Sequence, residues 1–172
     1  MIAKPQLTPV VEPADPPVPE DPNPEDPNTG HAAIDTLART IWGEARGEGT
    51  AGMTAVAAVV LNRVGVADAA GGRYWWGADV ISVCKRPWQF SCWNEGDPNR
   101  TQIASVDATD PYFATALRIA RRAVHHLAPD PTIGDGEKGA THYHHRGIMP
   151  SWAIGRRAQA SIGQHLFYRL VD

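Results

Sequence analysis

Cysteine is nearly absent from this 172-residue chain, with only Cys84 and Cys92, eight positions apart. Two thiols without a second pair do not make a zinc framework. They leave two readings, a bridge formed in an oxidising compartment or a pair of small buried side chains. Uninterrupted apolar runs are short: none approaches the roughly 18 residues of a membrane span. Met1-Ile2-Ala3-Lys4-Pro5 runs into prolines where a signal peptide would have its apolar core. Neither integral membrane association nor an export signal is therefore expected. Strong charge of one sign is missing too. The formal net charge of −3 gives no basis for nucleic-acid binding, which calls for a strongly basic face. The sequence also lacks a Gly-rich phosphate loop, a Gly-x-Ser-x-Gly elbow and a His-Glu-x-x-His helix. Those absences argue against nucleotide binding, serine hydrolysis and the commonest zinc-peptidase design.

What is present is unevenly distributed. Nine of the fifteen prolines lie in the first 27 residues, where six acidic residues up to Asp26 face Lys4 alone. That stretch has a net charge of −5, which leaves about +2 for the rest of the chain. Poor in backbone donors and apolar side chains, residues 1–30 are expected to stay extended and unpacked, as a disordered acidic tail or linker. A folded domain is expected over 31–172. Asp35 is a candidate N-cap, and Leu37, Ala38, Ile41 and Trp42 follow at helical spacing, toward glycines at 47 and 49. A second helix is expected over 50–64, where Met53, Val56, Val60 and Val64 form an apolar stripe, and a third over 111–127, opened by Pro111. Residues 65–110 show no sustained period and read as loop, the usual place for a binding surface. Thr141 to Ile148 suits a strand or hairpin, and Ala158 to Leu170 a short final helix. The expected class is mainly α with a small β element (α+β), in one domain.

Three groups of residues could carry chemistry. Glu44 and Glu48 are four apart on the expected first helix and fall with Leu37 and Ile41 within roughly 60° of arc, so both acids prolong an apolar stripe. A carboxyl group kept from water favours its neutral form and can serve as a general acid near neutral pH. The competing reading is ion pairing with Arg46 at a helix end. Gly43, Gly47 and Gly49 would permit close approach of a ligand. The second group is Pro87-Trp88-Gln89-Phe90-Ser91-Cys92-Trp93-Asn94, preceded by Trp75-Trp76. It offers the flat apolar faces and the amide or hydroxyl partners that sugar rings need, although tryptophan clusters are also common in cores. The third is His142-Tyr143-His144-His145 with His165, which suits substrate positioning by His142 or Tyr143, or a metal site. No acid lies within His142 to His145 to complete a ligand set, and neither metal nor cofactor is expected.

Together these residues resemble the SleB-type cell-wall hydrolases, a family that includes spore-cortex-lytic enzymes and related phage endolysins. The resemblance runs through Ala38-Arg39-Thr40-Ile41-Trp42-Gly43-Glu44-Ala45-Arg46-Gly47-Glu48, Ala55 to Val64, and Gln89-Phe90-Ser91. It continues through Gly139-Ala140-Thr141-His142-Tyr143, Pro150-Ser151-Trp152-Ala153 and Ile162 to Tyr168, in the family's order. It implies a lysozyme-like or lytic-transglycosylase-like domain acting on peptidoglycan glycan strands at the β-1,4 bond between N-acetylmuramic acid and N-acetylglucosamine. Glu44 falls on the family's catalytic acid. A transglycosylase manages with one carboxylate, whereas a muramidase-type hydrolase needs a second, for which Glu48 is the near candidate. The expected site is Glu44 as catalytic acid, with Glu48, Gln89, Phe90, Ser91, Trp93, His142 and Tyr143 binding substrate or supporting it. A monomer acting on the bacterial cell wall, in the periplasm or outside the cell, is expected. With no export signal seen, a phage endolysin released through a holin is one route. The rivals are a metal-dependent amidase or peptidase using His142, His144 and His165, and a glycan-binding module that does not cut.

Overall fold

The structure, a computed structural model, describes Pro17 and residues 23–171. The tail expected at 1–16 and 18–22 lies outside these residues. Residues 23–30 are not extended but turned. Asn28 Oδ1 accepts a hydrogen bond from the Val80 backbone N–H (3.1 Å), which ties this lead-in to the domain.

The first helix, α1, spans His31–Ala45 with Gly30 at its N-cap. It begins earlier than expected. Asp35 is no cap but sits inside it, paired one turn on with Arg39 (2.7 Å). The helix stops at Ala45, because Glu48 turns to φ −96°, ψ 3° and becomes the N-cap position of α2, Gly49–Ala69. Gly49 has φ +68°, a conformation a side chain would resist. Glu44 and Glu48 therefore do not share one helix.

Helix α2 is apolar nearly all round because it is covered on two sides. Met53, Val56, Val60 and Val64 pack with Leu37, Ile41 and Phe113 in the larger core, while Ala55 and Val59 pack with Ala140 and Phe167 under a small sheet. Fully burying a side chain such as Ile41 or Leu37 stabilises the fold by roughly 1.5–3 kcal/mol. The 21-residue helix is, contrary to the expectation from apolar runs, long and apolar enough to cross a bilayer, yet 67% of its most apolar window is buried inside the fold. That burial is what a core helix requires.

The stretch expected as loop contains two short helices, α3 (Val80–Lys85) and α4 (Arg100–Ser105), and a 3₁₀ turn at Ser91–Trp93. Asp79 and Ser82 form a reciprocal capping box at α3, a local device with little hydrophobic periodicity to reveal it. Helix α5 (Pro111–Val124) starts as expected, with Asp110 accepting from the Phe113 N–H (2.8 Å).

Strands β1 (His142–His145), β2 (Ala160–Ile162) and β3 (His165–Tyr168) form an antiparallel sheet in the order β1-β3-β2. The short final helix expected near the C-terminus is thus a hairpin. Gly163 at φ +55° makes its turn, and Phe167 and Tyr168 are aromatic residues that favour strands. The mainly α class with a small β element is what the structure shows.

Candidate active site

Glu44 closes α1, half-buried, and three donors converge on its carboxylate. The Cys92 backbone N–H (3.1 Å) and the Ser91 hydroxyl (3.3 Å) donate to Oε1. The Tyr143 hydroxyl donates to Oε2 (2.9 Å). Three separate parts of the chain, α1, the 3₁₀ turn and β1, thereby fix one side chain. Arg46 does not neutralise it. Its guanidinium lies 4.3 Å from the Trp42 ring centroid and donates to Asn99 Oδ1 (2.8 Å), and among the described residues no cation pairs with Glu44 or Glu48. The ion-pair reading of these acids is overturned.

Gly43 has a different role from the one the sequence suggested. A Cβ there would meet Cys92 Cβ at 2.7 Å and Sγ at 2.9 Å. The missing side chain admits Cys92 against α1, not a ligand, and this approach brings the Cys92 N–H onto Glu44. At Gly47 and Gly49 an added Cβ would meet nothing within 4 Å, and both face open space. Gly43→Ala should lower stability by about 1–3 kcal/mol, the usual range for overpacking, and reduce turnover by displacing that N–H. Melting temperature and turnover measured together check this, and wild-type values of both would contradict it.

Glu48 points elsewhere. Its Oε2 accepts from the Gln164 backbone N–H (2.7 Å), and a Cβ on Gly163 would collide with the same oxygen. It pins the β2–β3 turn to the start of α2. Phe90 is buried, its ring centroid 6.5 Å from that of Tyr143, so it backs the tyrosine and has no surface for substrate. Trp93 donates from Nε1 to Thr40 Oγ1 (2.9 Å) and lies against α1, half-buried. Gln89 is half-buried beside exposed Trp88, and Ser91 is exposed. His142 stands between Trp76 and Trp152, at centroid distances of 5.9 and 5.4 Å.

Strand alternation separates the histidines. Cross-strand partners share a face, so Tyr143, His145, His165 and Phe167 line one side of the sheet and His142, His144, Leu166 and Tyr168 the other. His142, His144 and His165 therefore cannot converge on one ion, which removes the arrangement the metal-peptidase rival needs. His144 instead contacts the Tyr168 hydroxyl through Nε2 (3.1 Å). Burial pushes the His165 pKa down, with Glu48 opposing the shift.

Both cysteines are free and buried. Burial raises the Cys84 thiol to about 12, and burial together with the neighbouring Glu44 carboxylate raises Cys92 further. They are small packing groups, the second of the two sequence readings. The Cys92 backbone donor escaped the sequence, and so did the backbone conformation of Trp88. Trp88 is 83% exposed and held at φ +66°, with its N–H donating to Asn94 Oδ1 (3.1 Å). A bulky residue exposed at positive φ is uncommon and suggests a functional constraint. A cavity of about 620 Å³ runs beside α2, lined by residues such as Asn62, Tyr74, Lys138 and Arg169. Glu44 does not line it.

The site is a helical domain's single carboxylate held by three donors from distant parts of the chain, with an exposed tryptophan, Trp88, three residues before the Ser91 donor. Residues 47–168 match the family model described as Cell Wall Hydrolase, and the chain belongs to that family. The matched segment begins just past Glu44. Two solved structures are similar throughout the domain. The catalytic domain of the Bacillus cereus SleB protein is 24% identical, with a TM-score of 0.59 over 83% of this chain and 96% of that one. The catalytic domain of the germination-specific lytic transglycosylase SleB from Bacillus anthracis is 27% identical, with a TM-score of 0.60 over 81% and 96%. No curated protein matches the chain. The protein is thus a cell-wall hydrolase with a SleB-like fold, and its activity implies peptidoglycan as substrate.

Proposed function

We propose that the chain cleaves the β-1,4 bond between N-acetylmuramic acid and N-acetylglucosamine as a lytic transglycosylase, with Glu44 as acid and then base. The observation that carries this reading is the unequal treatment of the two carboxylates. Glu44 is half-buried and held by three donors, whereas Glu48 is committed to the Gln164 N–H. A hydrolase would need a second carboxylate to activate water or act as nucleophile. Glu48, the near candidate, spends its Oε2 on the Gln164 backbone N–H and pins the β2–β3 turn.

In this mechanism the protonated Glu44 donates to the leaving glycosidic oxygen as the bond to the anomeric carbon breaks. The muramic C6 hydroxyl then attacks that carbon and returns its proton to Glu44, which leaves a 1,6-anhydro end and consumes no water. Among the described residues Oε2 accepts one hydrogen bond, from Tyr143, and keeps a lone pair for the transferable proton. Ser91 and Tyr143 orient the acid, Phe90 supports Tyr143, and Glu48 and Trp93 brace the surrounding elements. Trp88 and Gln89, in the loop that carries Ser91, are the residues assigned to meet sugar, whereas His142 lies on the sheet face opposite Tyr143, against Trp76 and Trp152, and is assigned a supporting role. The Bacillus anthracis relative, described as a lytic transglycosylase, supports this outcome over muramidase-type hydrolysis.

Mass spectrometry of purified peptidoglycan after digestion tests the reading. Anhydro-muramic ends are expected. Reducing muramic ends would overturn transglycosylation, free peptides would overturn glycan cleavage altogether, and binding without soluble product would favour the glycan-binding module. We place residues 31–172 as the catalytic domain, following an acidic tail, and the whole chain as a monomeric lysin of the endolysin type.

A further inference from the structure

We propose that Arg63 is a positioning residue for the reaction, acting on Glu44 through Tyr143. The inference rests on Glu44 being the acid. Arg63 lies within α2 and is 4% exposed, and no carboxylate pairs with it among the described residues. Its Nε donates to the Thr141 carbonyl (2.8 Å), while Nη1 is buried with no partner. The guanidinium carbon lies 5.2 Å from the Phe90 ring centroid and 5.5 Å from that of Trp76. Burial brings its pKa down to about 10, still far above neutrality, so the cation persists in the interior. An unpaired buried charge is costly, and an apolar side chain would fill such a space at less expense. A packing role alone does not account for it.

Geometry links this cation to Tyr143 in two ways: the Phe90 ring beside the guanidinium is also a neighbour of the Tyr143 ring, with centroids 6.5 Å apart, and the Thr141 carbonyl that Arg63 holds lies two residues before Tyr143. Arg63 and Tyr143 interact electrostatically, Arg63 working against the burial and the Glu44 charge that push the phenol's pKa up. Tyr143 is also the donor to Glu44 Oε2 (2.9 Å). Positive charge behind the phenol strengthens it as a donor, and in a poorly screened interior that influence carries through the ring. The benefit is greatest once Glu44 has passed its proton to the leaving oxygen and become a full carboxylate. Arg63 therefore favours the charge that develops during the reaction, not the binding of the glycan. The buried Phe90 ring neighbours both groups.

A double-mutant cycle tests the coupling. Arg63→Met, Arg63→Lys and Tyr143→Phe, singly and combined, are assayed on soluble peptidoglycan fragments for kcat and KM, with melting temperatures alongside. Arg63→Met should lower kcat about tenfold with KM nearly unchanged, less than the roughly 10²–10³-fold loss of a donor that touches the reacting charge directly. Arg63→Lys, which keeps the charge, should recover most of that loss. In the Tyr143→Phe background the Arg63→Met change should add little, because the relay is already cut. Fully multiplicative losses, a Lys variant as poor as the Met variant, or a loss confined to KM would each overturn the proposal. If the Met variant does not fold, Arg63→Gln takes its place; if neither neutral variant folds, the charge serves the fold and the assignment fails. Glu44→Gln in the same assay separates the two readings. Turnover in that variant would refute Glu44 as acid, whereas its inactivity together with multiplicative Arg63 and Tyr143 losses would refute only the relay.

Discussion

Glu44→Gln should lower turnover on peptidoglycan by roughly 10²–10⁴-fold or more, the usual contribution of a general acid, and leave the melting temperature nearly unchanged. The two side chains have the same shape, and the amide oxygen of glutamine can still accept from the Cys92 N–H and the Ser91 hydroxyl. Its NH₂ would face Tyr143, whose hydroxyl can turn to accept as well as donate. Only the transferable proton is lost. Turnover within a few fold of wild type would show that another group protonates the leaving oxygen, and the single-acid mechanism would fall. Circular dichroism and thermal melting of the same sample separate a chemical loss from an unfolded one.

Tyr143→Phe should lower kcat by about 10- to 10²-fold, somewhat below the largest effects seen when a preorganised donor is removed, because two donors to Glu44 remain. Stability should fall by only about 0.5–1.5 kcal/mol, the net worth of one hydrogen bond. Phenylalanine fits the site, since Tyr143 is packed by the rings of Phe90, Phe167 and His165 at centroid distances of 6.5, 5.6 and 5.0 Å. The ring stays and the donor goes. Steady-state kinetics on soluble glycan fragments give the comparison. An unchanged kcat would mean that Cys92 and Ser91 suffice to hold the acid.

The helices were legible in the sequence wherever burial imposed a period. Met53, Val56, Val60 and Val64 recur at helical intervals because one side of α2 meets α1 and α5 in a shared core. Pro111 and Asp110 mark the start of α5 through purely local chemistry. The same reasoning misplaced the end of α1 and mistook a hairpin for a helix. Glu48 continues the apolar stripe on paper, yet the chain has already turned at Gly47 and Gly49. From Ala160 to Tyr168 the strands are three and four residues long, too short for either period to declare itself. Their pairing with β1 settles the conformation.

By itself the sequence determined that one mainly helical domain follows an acidic, proline-rich stretch, and its ordered motifs singled out Glu44. Those properties come from local composition, from periodicity and from residue types in series. Only the tertiary structure decided what Glu44 is attached to. Its donors come from Ser91, Cys92 and Tyr143, 47, 48 and 99 positions away, and one of them is a backbone N–H, which no residue type announces. Tertiary packing likewise gave Gly43 to Cys92, Glu48 to the β2–β3 turn and the histidines to opposite faces of the sheet. The reason is physical: hydrogen bonds and close approaches between distant segments depend on how helices and strands are set against one another, and such contacts leave no periodic trace along the chain.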